Sequence, residues 1–141
     1  MKNILLVAPE FKSPGWDVKT LPFIQKKALI VPLHLATIAA LTPDDIEVDL
    51  WDEFVHGRIS EETTFDKEYD LVGITSHFFL NLRRAKEIAQ VFRRRGILVA
   101  IGGADVSFVP EQYRDDFDVL FIGEAELTWP KFIADFLAGS Y

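Results

Sequence analysis

The residues of this 141-residue chain best suited to chemistry fall in four short stretches, each following an apolar run. They are Pro9, Glu10 and Phe11; Thr75, Ser76 and His77; Gly102, Gly103, Ala104 and Ser107; and Gly123, Glu124 and Glu126. Hydroxyls, a glycine pair and a carboxylate pair suit the holding of a ligand better than the breaking of a bond. Gly102 and Gly103 either let a planar or chain-like ligand pass close to the backbone, where a Cβ would intrude, or supply a turn that needs positive φ. Thr75 and Ser76 offer hydroxyls to a ligand or cap the helix that follows. Ser107 is expected as an N-cap, and Glu124 and Glu126 complement a helix dipole. His77 is the one imidazole in these stretches, and a lone histidine is more often packed or solvated than a metal ligand. No nucleophile stands beside a base, so an independent hydrolase has little support.

What the chain lacks narrows the choice further. It has no cysteine, and with that go disulfides, thiolate-held zinc or iron–sulfur clusters, and a thiol nucleophile. The stretch after the first apolar run carries neither the Gly-Lys-Ser/Thr of a P-loop nor the spaced glycines of a dinucleotide fingerprint. Fifteen basic against 22 acidic side chains give a net charge of −7, which opposes nucleic-acid binding. Arg93, Arg94 and Arg95 close a helix and are expected on a solvated or docking face. Ile4–Ala8 is too short for a signal segment or a membrane span, so a cytoplasmic location is the default expectation.

Five apolar runs must position the candidate residues: Ile4–Ala8, Ile46–Trp51, Leu71–Thr75, Ile97–Ile101 and Val119–Ile122. Short continuous runs of this kind predict strands buried on both faces of a parallel sheet. Between them, Pro32 opens a helix to about Leu41, and Asn81–Arg95 carries an apolar stripe of Leu82, Ala85, Ile88, Ala89 and Phe92. Ser107 to about Asp116 predicts a short helix, and Pro130 is placed in the first turn of a last helix that stops at Gly139. Phe54–Lys67 shows no clear period. Strands alternating with helices predict an α/β fold of three layers, α/β/α, with a five-stranded parallel sheet in the flavodoxin-like or Rossmann-like order 2-1-3-4-5. In such a sheet a ligand sits beyond the carboxyl ends of the strands, where the order reverses. The four stretches lie there.

Taken together the stretches resemble the cobalamin-binding domain that precedes the catalytic barrel of many radical S-adenosylmethionine enzymes. The resemblance rests on Asn3–Pro9 (NILLVAP), Pro32–Leu41 (PLHLATIAAL) with Ile46–Asp52 (IEVDLWD), Leu71–Ser76 (LVGITS), and Gly102–Pro110 (GGADVSFVP) with Gly123–Glu126 (GEAE). Arg84–Gly96 and Thr128–Gly139 also look like the family, so the resemblance covers nearly the whole chain. It implies a corrin ring over the carboxyl edge of the sheet, flanked by Pro9, Glu10 and Phe11. It also implies a nucleotide tail in the crevice between the third and fourth strands, contacted by Thr75 and Ser76 and passed by Gly102, Gly103 and Ala104. Gly123 and Glu124 would belong to the Gly-Glu-x-Glu element after the fifth strand. The Asp-x-His-x-x-Gly motif of cobalamin mutases is absent, which implies a base-off cofactor without a histidine from the first loop; His77 is the alternative cobalt ligand. The family's [4Fe-4S] cluster and S-adenosylmethionine bind in a barrel carrying Cys-x-x-x-Cys-x-x-Cys, which is not in this sequence. Residues 1–139 are therefore expected to be a cobalamin domain, with 140–141 the start of a linker or a truncated end. It would be non-catalytic alone and partnered in cis by a radical barrel of methyltransferase or carbon-skeleton type. A module for protein interaction with a degenerate cofactor site, using Phe78, Phe79 and Phe108 near the rim, is the alternative.

Overall fold

The computed structural model describes residues 1–11, 32–76 and 81–141. Five parallel strands, β1 (Lys2–Ala8), β2 (Ile46–Asp52), β3 (Leu71–Thr75), β4 (Leu98–Gly102) and β5 (Val119–Leu120), stand in the order β2-β1-β3-β4-β5. The expected order therefore holds, with the reversal between β1 and β3. Its helices are α1 (Leu33–Ala40), α2 (Glu53–His56), α3 (Leu82–Arg94), α4 (Ala104–Phe108) and α5 (Ala125–Ala138).

Alternation along each strand divides the core in two. Leu5, Val7, Val72, Ile74, Val99 and Ile101 point to one face, where the α3 stripe of Ala85, Ile88, Ala89 and Phe92 covers them. Ile4, Leu6, Leu71 and Ala100 point to the other, packing on Leu35 from α1 and Trp129, Ile133 and Phe136 from α5. Both faces are covered over the middle of the sheet, which is why β1, β3 and β4 are apolar almost throughout, whereas the edge strand β2 alternates apolar and acidic residues.

Two expectations change. Pro130 lies a full turn inside α5, not in its first turn. Glu124 is extended and its carbonyl accepts from the Leu127 N–H, so the helix starts earlier; exposed Pro130 only forfeits the bond to the Glu126 carbonyl. The helix expected from Ser107 to Asp116 is instead α4, which opens at Gly103, followed by a 3-10 turn at Pro110–Gln112 that Pro110 starts. The three arginines ending α3 are exposed, as expected of a solvated face, but each is also tied down. Arg95 donates to the carbonyls of Ser60, Glu61 and Thr63 and stacks on Phe65 and Phe92, Arg94 pairs with Glu61, and Arg93 reaches Asp118 and the Asp115 carbonyl. Arg94 and Arg95 fasten the segment after α2, whose sequence showed no period because side chains from α3 hold it, and Arg93 ties α3 to the turn before β5.

Candidate functional site

At the carboxyl end of the sheet the residues on the α1/α5 face become small. In register, Gly73 of β3 lies opposite Ala100 of β4, and Thr75 lies opposite Gly102. Two successive rungs without bulk leave a cleft of about 440 Å³ between the sheet edge, α1 and α5. Leu6, Leu35, Ile38, Phe121 and Trp129 make its walls apolar. Thr75, Ser107, Glu124 and Glu126 bring polar groups to it. The Trp129 indole is held by its Nε1–H, which donates to Thr42 Oγ1 at 2.9 Å.

The expected residues sort into those in the cleft and those behind it. Thr75, Gly102, Gly103, Ala104, Gly123 and Glu124 line it. Ser76 follows Thr75 and so points to the opposite face, where it is fully buried. Gly103 has φ of +123°, and a Cβ there would lie 2.1 Å from the Ser76 carbonyl oxygen. It is thus the turn that requires glycine, and only its edge meets the cleft. At Gly102 a Cβ would meet only Phe121 Cβ, at 3.4 Å. Ser107 is not an N-cap: it sits within α4, and its Oγ accepts the Gly123 N–H at 2.7 Å, joining the loops after β4 and β5. Glu124 occupies the N-cap position of α5 and Glu126 its first turn, both exposed at the mouth.

The three expected residues after β1 lie apart from the cleft. Pro9 is buried, the Glu10 N–H donates to Glu53 Oε2 at 3.0 Å, the Glu10 carboxylate pairs with Arg58, and Phe11 stacks edge-on against Phe54. None of the three lines the cleft. Their anchor is Glu53, whose side chain is fully buried and accepts from Arg84 Nε and Nη2, from the Ile59 N–H and from the Glu10 N–H. Burial pulls the Arg84 pKa down, but the Glu53 carboxylate outweighs it and holds the guanidinium above its ordinary value. His77, Phe78 and Phe79 lie outside the described residues. Among the described residues no group of three His, Asp or Glu side chains is placed to hold a metal ion, and no helix is long and apolar enough to cross a membrane.

A family model described as the B12 binding domain matches residues 21–133, more than half of the chain. The chain belongs to the B12-binding domain family. Bacteriochlorophyllide d C-8(2)-methyltransferase of Chlorobaculum tepidum is 39% identical to this B12-binding domain over 103 residues, which make up 73% of the chain and 22% of that protein. A Synechocystis protein described as an uncharacterized methyltransferase is 29% identical over 131 residues, 92% of the chain and 24% of its relative. The chain spans about a quarter of the length of these curated relatives. No solved structure matches it.

Gly73 is a lining residue that sequence reasoning missed. A Cβ at Gly73 would come 2.8 Å from Leu6 Cδ2 and 3.9 Å from the Trp129 ring. A glycine inside a strand signals close approach by a ligand or a neighbouring group. Inside the apolar run LVGIT that signal was present but unused. Trp129 and Phe121 belong to the core and also wall the cleft. The site has the apolar, glycine-floored form that a flat, uncharged group requires.

Proposed function

We propose that this domain holds cobalamin for a radical S-adenosylmethionine methyltransferase, with the nucleotide tail seated in the cleft and the corrin ring across the carboxyl edge of the sheet. The cleft floored by Gly73 and Gly102 and walled by Leu6, Phe121 and Trp129 is the observation that carries this reading. Bound there, cobalamin supplies a methyl carrier. Thr75 and Ser107 offer hydroxyls to the tail, while the apolar walls exclude water from its base. Glu10, held by Glu53 and Arg58, fixes the backbone that leaves β1. No protein ligand to cobalt is assigned, in keeping with the absent Asp-x-His-x-x-Gly motif. The methyl-transfer reading draws on the methyltransferase names of both relatives, and the family resemblance supplies the [4Fe-4S] barrel and S-adenosylmethionine. Phe108, Ile122 and Leu127, all exposed around the mouth, suit contact with such a barrel.

Titration of the purified chain with hydroxocobalamin, followed by its absorption spectrum and by co-elution on gel filtration, tests this. A saturable spectral change with retained cofactor is expected. No change and no retention at high micromolar cofactor would refute it.

A further inference from the structure

Behind the cleft wall, on the α3 face of the sheet, lies a buried polar cluster that the cofactor reading leaves without a role. Ser76 Oγ is 3.0 Å from Asp105 Oδ2, 3.1 Å from Tyr113 Oη and 3.3 Å from Asn81 Oδ1. All four residues are at least 98% buried. A serine hydroxyl has one proton to give and two lone pairs to receive. Carboxylate and amide oxygens only accept, so the Ser76 proton is directed to Asp105, with Asn81 Oδ1 as the weaker alternative, and the Tyr113 hydroxyl donates to Ser76 Oγ. The order Tyr113 to Ser76 to Asp105 links the end of β3 at Ser76, the start of α4 and the 3-10 turn that follows it. Burial raises the Tyr113 hydroxyl above its ordinary pKa, and the Asp105 charge pushes the same way against the bond to Ser76. That keeps Tyr113 a donor. The backbone closes the same joint: the Ser76 N–H donates to the Gly102 carbonyl at 2.9 Å, and Gly103 nests on the Ser76 carbonyl where no Cβ fits. Thr75, Gly102 and Gly103, each adjoining this joint, are cleft wall.

We propose that Asp105 and Tyr113 are positioning residues, acting through the Ser76 hydroxyl to lock the end of β3 at Ser76 against α4 and so set the width of the cofactor cleft from the opposite face of the sheet. This rests on the cobalamin reading for what the cleft holds, but the lock itself stands on the hydrogen bonds. Buried donors and acceptors are costly to leave unpaired, so loss of one member moves its partners rather than leaving them in place.

The test uses the whole chain with Tyr113→Phe, Ser76→Ala and Asp105→Asn, the dissociation rate of hydroxocobalamin, and hydrogen exchange resolved by residue. Tyr113→Phe, which deletes one hydroxyl, and Ser76→Ala should each speed dissociation about tenfold and accelerate exchange of the Ser76 amide, leaving α5 amides as in the native chain. Asp105→Asn keeps an oxygen that accepts from Ser76 and should retain most of the native slowness. Dissociation within about twofold of native and an unchanged Ser76 amide in Tyr113→Phe would overturn the lock. So would exchange that rises equally everywhere, the mark of general destabilisation. If the native chain binds no hydroxocobalamin, the cofactor reading falls, and the Ser76 amide decides the lock: local acceleration supports it, and uniform or absent acceleration overturns it.

Discussion

Gly103 and Gly73 are both glycines at the sheet edge, and they are required for different reasons. Gly103→Ala sets a Cβ against the Ser76 carbonyl oxygen at a φ that side chains rarely adopt, and neither the backbone of β3 nor that of α4 has room to yield. It should cost about 2–4 kcal/mol in urea unfolding, because backbone strain and a backbone clash add. Gly73→Ala meets only the tip of Leu6, which lines the cleft and has the cleft to move into. The fold should survive with a melting temperature close to native, while hydroxocobalamin affinity falls about tenfold, because the displaced Leu6 occupies the ligand's space. Gly73, rather than Gly103, therefore separates loss of site from loss of fold. The glycine pair was visible in the sequence as a dipeptide, but the choice between turn and ligand passage depends on where a Cβ would point, and only the packed backbone of Ser76 supplies that. Gly73 was obscured by its apolar neighbours; its meaning emerges once strand parity sets it, Thr75, Ala100 and Gly102 on one face.

The central strands β1, β3 and β4 were legible because each is a short apolar run buried on two faces, and the strand order followed from alternation with helices. Helix starts were less legible: Pro130 resembles a first-turn proline, yet Glu124, which makes no side-chain cap bond, begins α5. Ion pairs between elements were invisible, since nothing in sequence brings Glu53 to Arg84. That pair joins α2, α3 and the loop after β1. Arg84→Met leaves a buried carboxylate with two backbone donors and no cation, and should cost about 3–5 kcal/mol in urea unfolding. At the β2 edge, burial raises the Asp49 carboxyl, but hydrogen bonds from Lys67 and Tyr69 outweigh it and hold it below the usual carboxylate range. Asp70 is lowered likewise, with burial outweighed by Lys2 and the Asn3 N–H, and Arg84 lowers Glu87. Carboxylates with depressed folded pKa values stabilise the fold above their unfolded values, about pH 4, and lose that contribution as pH falls through the folded ones. Unfolding free energy should therefore be level above about pH 5 and decline below about pH 4. Lys67→Met should be less stable than native at neutral pH, with the gap closing in acid; a gap that widens on acidification would contradict the assignment.

At the scale of the whole molecule, a layered α/β domain places an apolar cleft over the carboxyl ends of β3 and β4, between α1 and α5, with exposed Phe108 in its lining. The chain carries no cysteine of its own, and in the proposed function the cluster would belong to a separate barrel. The chain spans about a quarter of its curated relatives, and a longer protein is where that chemistry would be assembled. In the proposed function, the cleft's part is to recognise the nucleotide tail. Cobinamide has the same corrin without that tail, so the ratio of the two dissociation constants for the native chain isolates the cleft's contribution. Cobalamin should bind at least about tenfold more tightly than cobinamide; equal affinities, or no binding of either, would contradict a cobalamin tail in this cleft.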